Sequence, residues 1–471
     1  ATVVRLECSP HHQQTALHPL GSYLIRRGGQ TATEPRTPAL VAARRLLVDW
    51  FRDRESALDL LSPDPDDRRR ALLRAALVDL TTPAGSGPVV CIVEDIQWCD
   101  PSTEELLASL ADAVADAAFL LVVTHRTPGS HAVAERADAT LVRLGALPRR
   151  VTAEIVNRAV GTKPLPAEVV AEIAARANGI PLFAEEMARD VVERGADPGG
   201  TVPATLFDSM TARLDRIPGA RDVVDAAAVL GAPFDLETLG EVLGRGGIRL
   251  VEQVEQVEQL CAAGILVRRG SRSEPTYRFR HLLFRDIADD SMALSHRVDL
   301  HHRIALVLER RGGSPEPARL AYHWGGAGDV GRAVSCWLDA TRRALAVAAV
   351  QEATESAQRG LALAPRTQSL EAGRDTVELR LLLAAALTQL DGPAADSVVQ
   401  QYTAVLDSRP RATRSQQFRA LWGRWYGVST GGEPGPMLTF AEQLLALSSE
   451  LDDDETRIQA HHAMWSSLII A

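Results

Sequence analysis

Two acidic side chains, Glu94 and Asp95, close the apolar run in VVCIVEDIQWCDPSTEEL (89–106). A short run of that kind, rich in Val and Ile, reads as a buried parallel strand. A carboxylate at the C-terminal tip of such a strand is where a hydrated Mg²⁺ bridging nucleotide phosphates is held. Asp95 fits that chemistry. Strand alternation turns Glu94 to the opposite face and makes it the weaker candidate. The following run, AFLLVVTHR, ends in Thr124, His125 and Arg126. A polar tip there can contact a γ-phosphate, and Arg126 can stabilise its charge. Taken singly, each run reads equally well as an acidic or solvated exit from a core strand.

The matching half of such a site is a loop of the form GxxxxGK followed by Ser or Thr. Of 51 basic residues only Lys163 is a lysine, and it stands before a proline in VGTKPL, far from the first strand. These 471 residues therefore contain no phosphate loop. Two expectations follow: a degenerate ATPase, or a chain that begins just after its phosphate loop. The cluster CSPHHQQTALH, with Cys8, His11, His12 and His18, raises zinc as an alternative. Its spacing matches no standard finger and brings no second ligand pair, so a polar loop after a strand is the better reading. HExxH and a Cys/His pairing for nucleophilic catalysis are missing.

The elements that must position these groups follow from hydrophobic period. TVVRLEC, VVCIVED, AFLLVVTHR and ATLVRLG read as strands, with the amphipathic DDRRRALLRAALVDL and STEELLASLADAVADA between them. That alternation predicts an α/β layer with a parallel sheet. From Val151 the pattern is helical, through NGIPLFAEEMARDVVER to VEQVEQLCAAG, and then ILVRRGSRSEPTYRFRH reads as a hairpin. Helices followed by a two-stranded wing predict a winged helix. Its helix LETLGEVLG carries glutamates where a groove reader needs Arg or Lys, which argues against DNA binding. The remainder, with alternating small and large apolar residues at helical spacing, predicts a tetratricopeptide-type solenoid that stops in mid-helix at Ala471.

Composition narrows the function classes. The length exceeds one ordinary core, and 46% hydrophobic with 24% charged residues fits a folded multidomain chain. A net charge of −10 repels phosphate backbones, so direct nucleic-acid binding is not expected. Five scattered cysteines suit a reducing, cytoplasmic setting, and no apolar stretch is long enough to span a membrane.

Together these segments resemble the signal-transduction ATPases with numerous domains (STAND), in the ATPase-plus-repeat region that accompanies class III adenylate or guanylate cyclase domains and occurs in large LuxR-type regulators. ECSPHHQQTALHPL, VEDIQWCDPSTEELL, NGIPLFAEE, VPATLFDSMTARLD, YRFRHLLFRDIA and AYHWGGAGDVGRAVSCWLDA carry the resemblance, which covers nearly the whole chain. It implies an AAA-like ATPase core without its phosphate loop over 1–148 and a helical lid with a GxP motif over 149–200. A winged helix over 201–312 and truncated tetratricopeptide-like repeats over 313–471 would follow.

By the same resemblance Asp95 is the Mg²⁺ acid, held through water, with Glu94 beside it. Thr124 and Arg126 sense the nucleotide, Gly179 and Pro181 pack on the adenine, and His281 touches bound ADP. ATP or ADP with Mg²⁺ are the implied cofactors. The position after the Mg²⁺ acid, where fast ATPases carry glutamate, is Ile96 here, which favours a slow switch. The implied function is an ATP/ADP switch controlling an output domain outside this chain, with a signal ligand or protein on the repeats and self-association in the ATP state. The chain alone is then a largely inactive fragment truncated at both ends. The rival expectation is an inert scaffold that binds a partner protein through its repeats.

Overall fold

A computed structural model describes residues 2–10, 12–27, 38–52, 64–81, 87–126, 133, 135–136, 138–161, 164–193, 206–231, 233–244, 248–270, 275–311, 316–366, 370–408, 412–431, 434–451 and 453–470. Lys163 and His11 lie outside them. The chain is mostly helical with a small parallel sheet. It divides into two compact units, one made of Ala1–Ala137 with Leu308–Ala471, the other of Asp138–Val307.

In the first unit, β1 (Thr2–Glu7), β2 (Val89–Glu94) and β3 (Phe119–Val123) form a parallel sheet in that order. The pairing is in register, with Val4 opposite Cys91 and Cys91 opposite Leu121. Period-2 alternation therefore gathers Val4, Leu6, Val89, Cys91 and Val93 on one face, where all are buried. Helices α1 (His18–Arg27), α2 (Pro38–Arg52), α3 (Pro65–Thr81) and α4 (Pro101–Ala113) belong to this half, and Leu24, Leu47, Trp50, Leu80, Leu106 and Leu110 fill the core they share with the sheet. The opposite sheet face is less covered: Val3 and Leu120 are each 57% exposed although the strands are apolar on both sides.

Helices α14 (Pro317–Gly326), α15 (Val330–Leu345) and α16 (Val350–Leu363) pack in sequence, and Val347, Ala349 and Ala353 enter the same core as the sheet. The first and last parts of the chain thus share one hydrophobic interior. The array continues as α17 (Leu370–Asp391), α18 (Asp396–Asp407), α19 (Arg414–Gly431), α20 (Pro434–Ser448) and α21 (Asp454–Ile470), each contacting its neighbour. Gly423 sits mid-helix in α19 because a Cβ there would fall 2.2 Å from the Tyr402 ring of α18.

The second unit contains α5 (Arg149–Ala159), α6 (Ala167–Arg176), α7 (Pro181–Glu193), α8 (Leu206–Asp215), α9 (Arg221–Leu230), α10 (Leu236–Val242) and α11 (Ile248–Ala262). The hairpin β4 (Leu266–Gly270) and β5 (Pro275–Phe279), then α12 (Leu282–Ser291) and α13 (Leu294–Arg310), complete the order. Helix α9 is its hub, with every residue from Val223 to Leu230 buried. The hairpin is antiparallel as its sequence pattern predicts, and Phe234 adds an isolated bridge to Tyr277.

One expected strand does not form. ATLVRLG carries no strand, and Leu141, Val142 and Leu144 are 57%, 73% and 93% exposed. This segment pairs with no strand among the described residues, and an apolar run without a ladder does not hold strand geometry. No helix among the described residues is long and apolar enough to cross a membrane.

Candidate functional site

The tips of β2 and β3 bring three of the expected residues together, Asp95, Thr124 and Arg126. Asp95 leaves the strand with φ 57° and ψ 52°, a left-handed conformation that a short polar side chain tolerates better than most. The turn is locked from β3. The Asp95 N–H donates to Thr124 Oγ1 at 3.0 Å, the Ile96 N–H to the Thr124 carbonyl at 3.0 Å, and the Thr124 N–H to the Val93 carbonyl at 2.9 Å. Ile96, 1% exposed, anchors the following 3₁₀ turn Ile96–Trp98 in the core.

This turn aims the Asp95 carboxylate outward. Its Oδ1 accepts from Gln97 Nε2 at 3.1 Å and faces Arg126 Nε at 3.5 Å. The Arg126 guanidinium lies 5.1 Å from the centre of the Trp98 ring, a cation–π placement that restrains it. Among the described residues nothing takes Asp95 Oδ2. Glu94 points elsewhere, as alternation requires, and pairs with Arg5 at 3.2 Å across the less covered sheet face. The donor set of Asp95, Thr124 and Arg126 fits one side of a Mg²⁺–phosphate group: a half-exposed carboxylate for metal-bound water, a hydroxyl and a cation for phosphate oxygens. The cradle of backbone N–H groups and lysine on the other side has no counterpart in the sequence.

Behind the tips lies a buried acid that the sequence pattern shows only as a helix entry. Asp100 caps α4, accepting from the Thr103 N–H at 2.8 Å and Thr103 Oγ1 at 2.7 Å. It also takes the Leu17 N–H at 2.8 Å, fixing the loop after β1 where Leu17 has φ 60°. Burial, then the nearby Glu352, pushes its carboxyl up to about 7. Glu352, on α16 and 1% exposed, accepts from the Ser102 N–H at 2.9 Å and from Ser102 Oγ. A residue 250 positions away thus completes the N-terminus of α4. Nothing local in the sequence marks Glu352 for that role.

Gly179, Pro181 and His281 lie in the second unit. Gly179 has φ 76°, follows Asn178 at φ 52°, and accepts the Leu147 N–H at 2.8 Å. A Cβ on Gly179 would stand 2.5 Å from the Leu147 oxygen, so the turn tolerates only glycine. Gly179→Ala is expected to lower stability by at least the roughly 1–3 kcal/mol of a left-handed non-glycine residue. Thermal unfolding checks this, and an unchanged midpoint would show that the turn relaxes without strain. Pro181 opens α7 at a position where no N–H is needed, and is exposed. His281 precedes α12 half-buried. Burial, then Arg280, lowers its pKa, while Glu185 of α7 opposes them, so α7 and His281 share one neighbourhood.

No protein-family model matches the chain. Among solved structures, it is similar to a STAND protein with a tetratricopeptide repeat sensor from Pyrococcus horikoshii. That match covers 100% of this chain and 74% of the other, at 12% identity and a TM-score of 0.38. It is also similar to a RuvB variant from Thermotoga maritima over 58% of this chain and 83% of that one, at 17% identity and a TM-score of 0.24. Both likenesses are low, and neither assigns a role to any residue here. Among curated proteins, an uncharacterized protein of Rhizobium meliloti (strain 1021) is 25% identical over 498 residues, covering 98% of this chain and 47% of the relative. The chain spans about half the length of the curated relative it matches.

Proposed function

We propose that the chain is the regulatory module of a signal-transduction ATPase, a switch that binds ATP or ADP with Mg²⁺ and governs an output domain such as a nucleotide cyclase or transcription regulator. The observation that carries this reading is the convergence of Asp95, Thr124 and Arg126 at the adjacent tips of β2 and β3. An acid, a hydroxyl and a cation at parallel-strand C-termini form the position where open α/β sheets bind nucleotides.

Asp95 would hold Mg²⁺ through water, and Arg126, released from its pairing, would meet the terminal phosphate. His281, Gly179 and Pro181, all in the second unit, are candidate nucleotide contacts on the sequence resemblance alone. A signal ligand or protein on the helical array would bias the two nucleotide states, and the ATP state would self-associate. Hydrolysis would be slow: the position that carries a water-orienting glutamate in fast ATPases is the core-anchored Ile96, which can neither accept nor orient a water proton.

The test is calorimetric titration with Mg·ATP and Mg·ADP of a longer chain that carries a GxxxxGK sequence ahead of these residues. Asp95→Ala is expected to weaken nucleotide affinity at least tenfold while the variant remains folded by circular dichroism. Equal affinity in the two proteins would remove Asp95 from the site.

The chain's lack of a GxxxxGK sequence favours a second reading, an inert scaffold whose repeats bind a partner protein. It predicts no nucleotide affinity in any longer form.

A further inference from the structure

His12, His18 and Glu316 come together although Glu316 is 304 residues from His12 in the chain. Each offers one ligand atom, and the three atoms lie within 4.8 Å of one another. His12 is in the loop after β1 and 5% exposed, His18 is the first residue of α1, and Glu316 immediately precedes α14. We propose that these side chains form a binding site for a divalent transition metal, Zn²⁺ by its chemistry, which ties the loop after β1 to the helical array.

Several observations converge on this assignment. Two imidazoles and one carboxylate are a mixed nitrogen and oxygen set, which suits Zn²⁺ better than Mg²⁺ or Ca²⁺, whose ligands are oxygens. Glu316 stands at the N-terminus of α14 but does not cap it; its carboxylate turns instead to His12 Nδ1 at 3.0 Å. The His12 and His18 rings lie face to face, 3.7 Å apart and 3° from parallel. Tetrahedral Zn²⁺ with bonds near 2.0–2.1 Å sets its ligand atoms about 3.3 Å apart. Two stacked rings share no point in both their planes, so closing the site requires the half-buried His18 ring to turn well out of the stack. His18 Nε2 also meets Ser22 Oγ at 3.1 Å. A cavity of about 20 Å³ lies beside Glu316 and is lined in part by Gln14 and Trp50. It has room for one water. Gln14 in turn donates to Glu355 at 3.2 Å, so the segment around His12 is gripped from α16 as well.

The competing account is a plain His12–Glu316 hydrogen bond with His18 stacked on it. Two variants separate them. His18→Gln leaves that hydrogen bond whole, and Glu316→Gln keeps a hydrogen-bonding side chain at the same place. The full chain, stripped with chelator, is titrated with Zn²⁺ by calorimetry and with Co²⁺ by visible absorption. The expected result is one saturable site, an intense tetrahedral Co²⁺ band, and a Zn²⁺-dependent rise in the unfolding midpoint. Each variant should weaken binding by at least about 100-fold, more than the loss of an outer-sphere partner, and remove the Co²⁺ band. Circular dichroism confirms that both variants remain folded. No saturable binding, or binding unaltered in both folded variants, would overturn the proposal.

Discussion

Arg213→Ala is expected to destabilise the second unit by about 3–5 kcal/mol, the cost of leaving a buried charge without its partner. Arg213 on α8 is 2% exposed, and Glu186 on α7 is fully buried. The guanidinium pairs with Glu186, donates to the Ala263 carbonyl at the end of α11, and lies 3.5 Å from Glu193. It therefore ties three segments at once. Burial raises the Glu186 carboxyl above its ordinary value despite Arg213, so desolvation outweighs attraction even in the intact pair. Removing Arg213 leaves Arg189, 3.2 Å away and 27% exposed, as a weaker partner.

The pH dependence follows from sign. An acid whose folded pKa is raised binds more protons folded than unfolded, so its contribution to stability falls as pH rises above the unfolded value. The deficit of Arg213→Ala should be larger at pH 8 than at pH 5, as measured by urea unfolding at both. A deficit under about 1 kcal/mol at pH 8 would show that Arg189 and water compensate.

The second large effect is at Asp100. Alanine there strips acceptors from the buried N–H groups of Leu17 and Thr103, at roughly 1–3 kcal/mol each. Asparagine keeps an oxygen for those donors and removes the charge. With the folded carboxyl at about 7 against an ordinary 3.8, the wild type should lose stability as pH rises between those values, by up to about 4 kcal/mol. Asp100→Asn should flatten that slope and match or exceed the wild type at pH 8, while Asp100→Ala stays below it throughout. If Asp100→Asn kept the wild-type slope, the titrating group would lie elsewhere.

These two residues show what the sequence could and could not convey. Period alone finds helices and the hairpin, and strand alternation turns Glu94 away from Asp95, because both rest on interactions within a few residues. Asp100 was visible only as a helix entry. Its second role depends on Leu17, and its raised pKa on burial and then on Glu352, neither visible in the local sequence. His12 and His18 read as part of a polar loop because the spacing of their cluster matches no standard finger and brings no second ligand pair; Glu316 joins them only in the fold. ATLVRLG failed for the complementary reason. Its composition suits a strand, but a strand exists only with a partner.

The most direct measurement of the central claim is Mg·ADP and Mg·ATP affinity in a longer chain with a GxxxxGK loop, compared with its Asp95→Ala and Arg126→Ala variants. A nucleotide switch predicts saturable binding that drops at least tenfold with Asp95→Ala and a smaller loss, confined to Mg·ATP, with Arg126→Ala. No binding in the longer chain, or binding indifferent to Asp95, would contradict it.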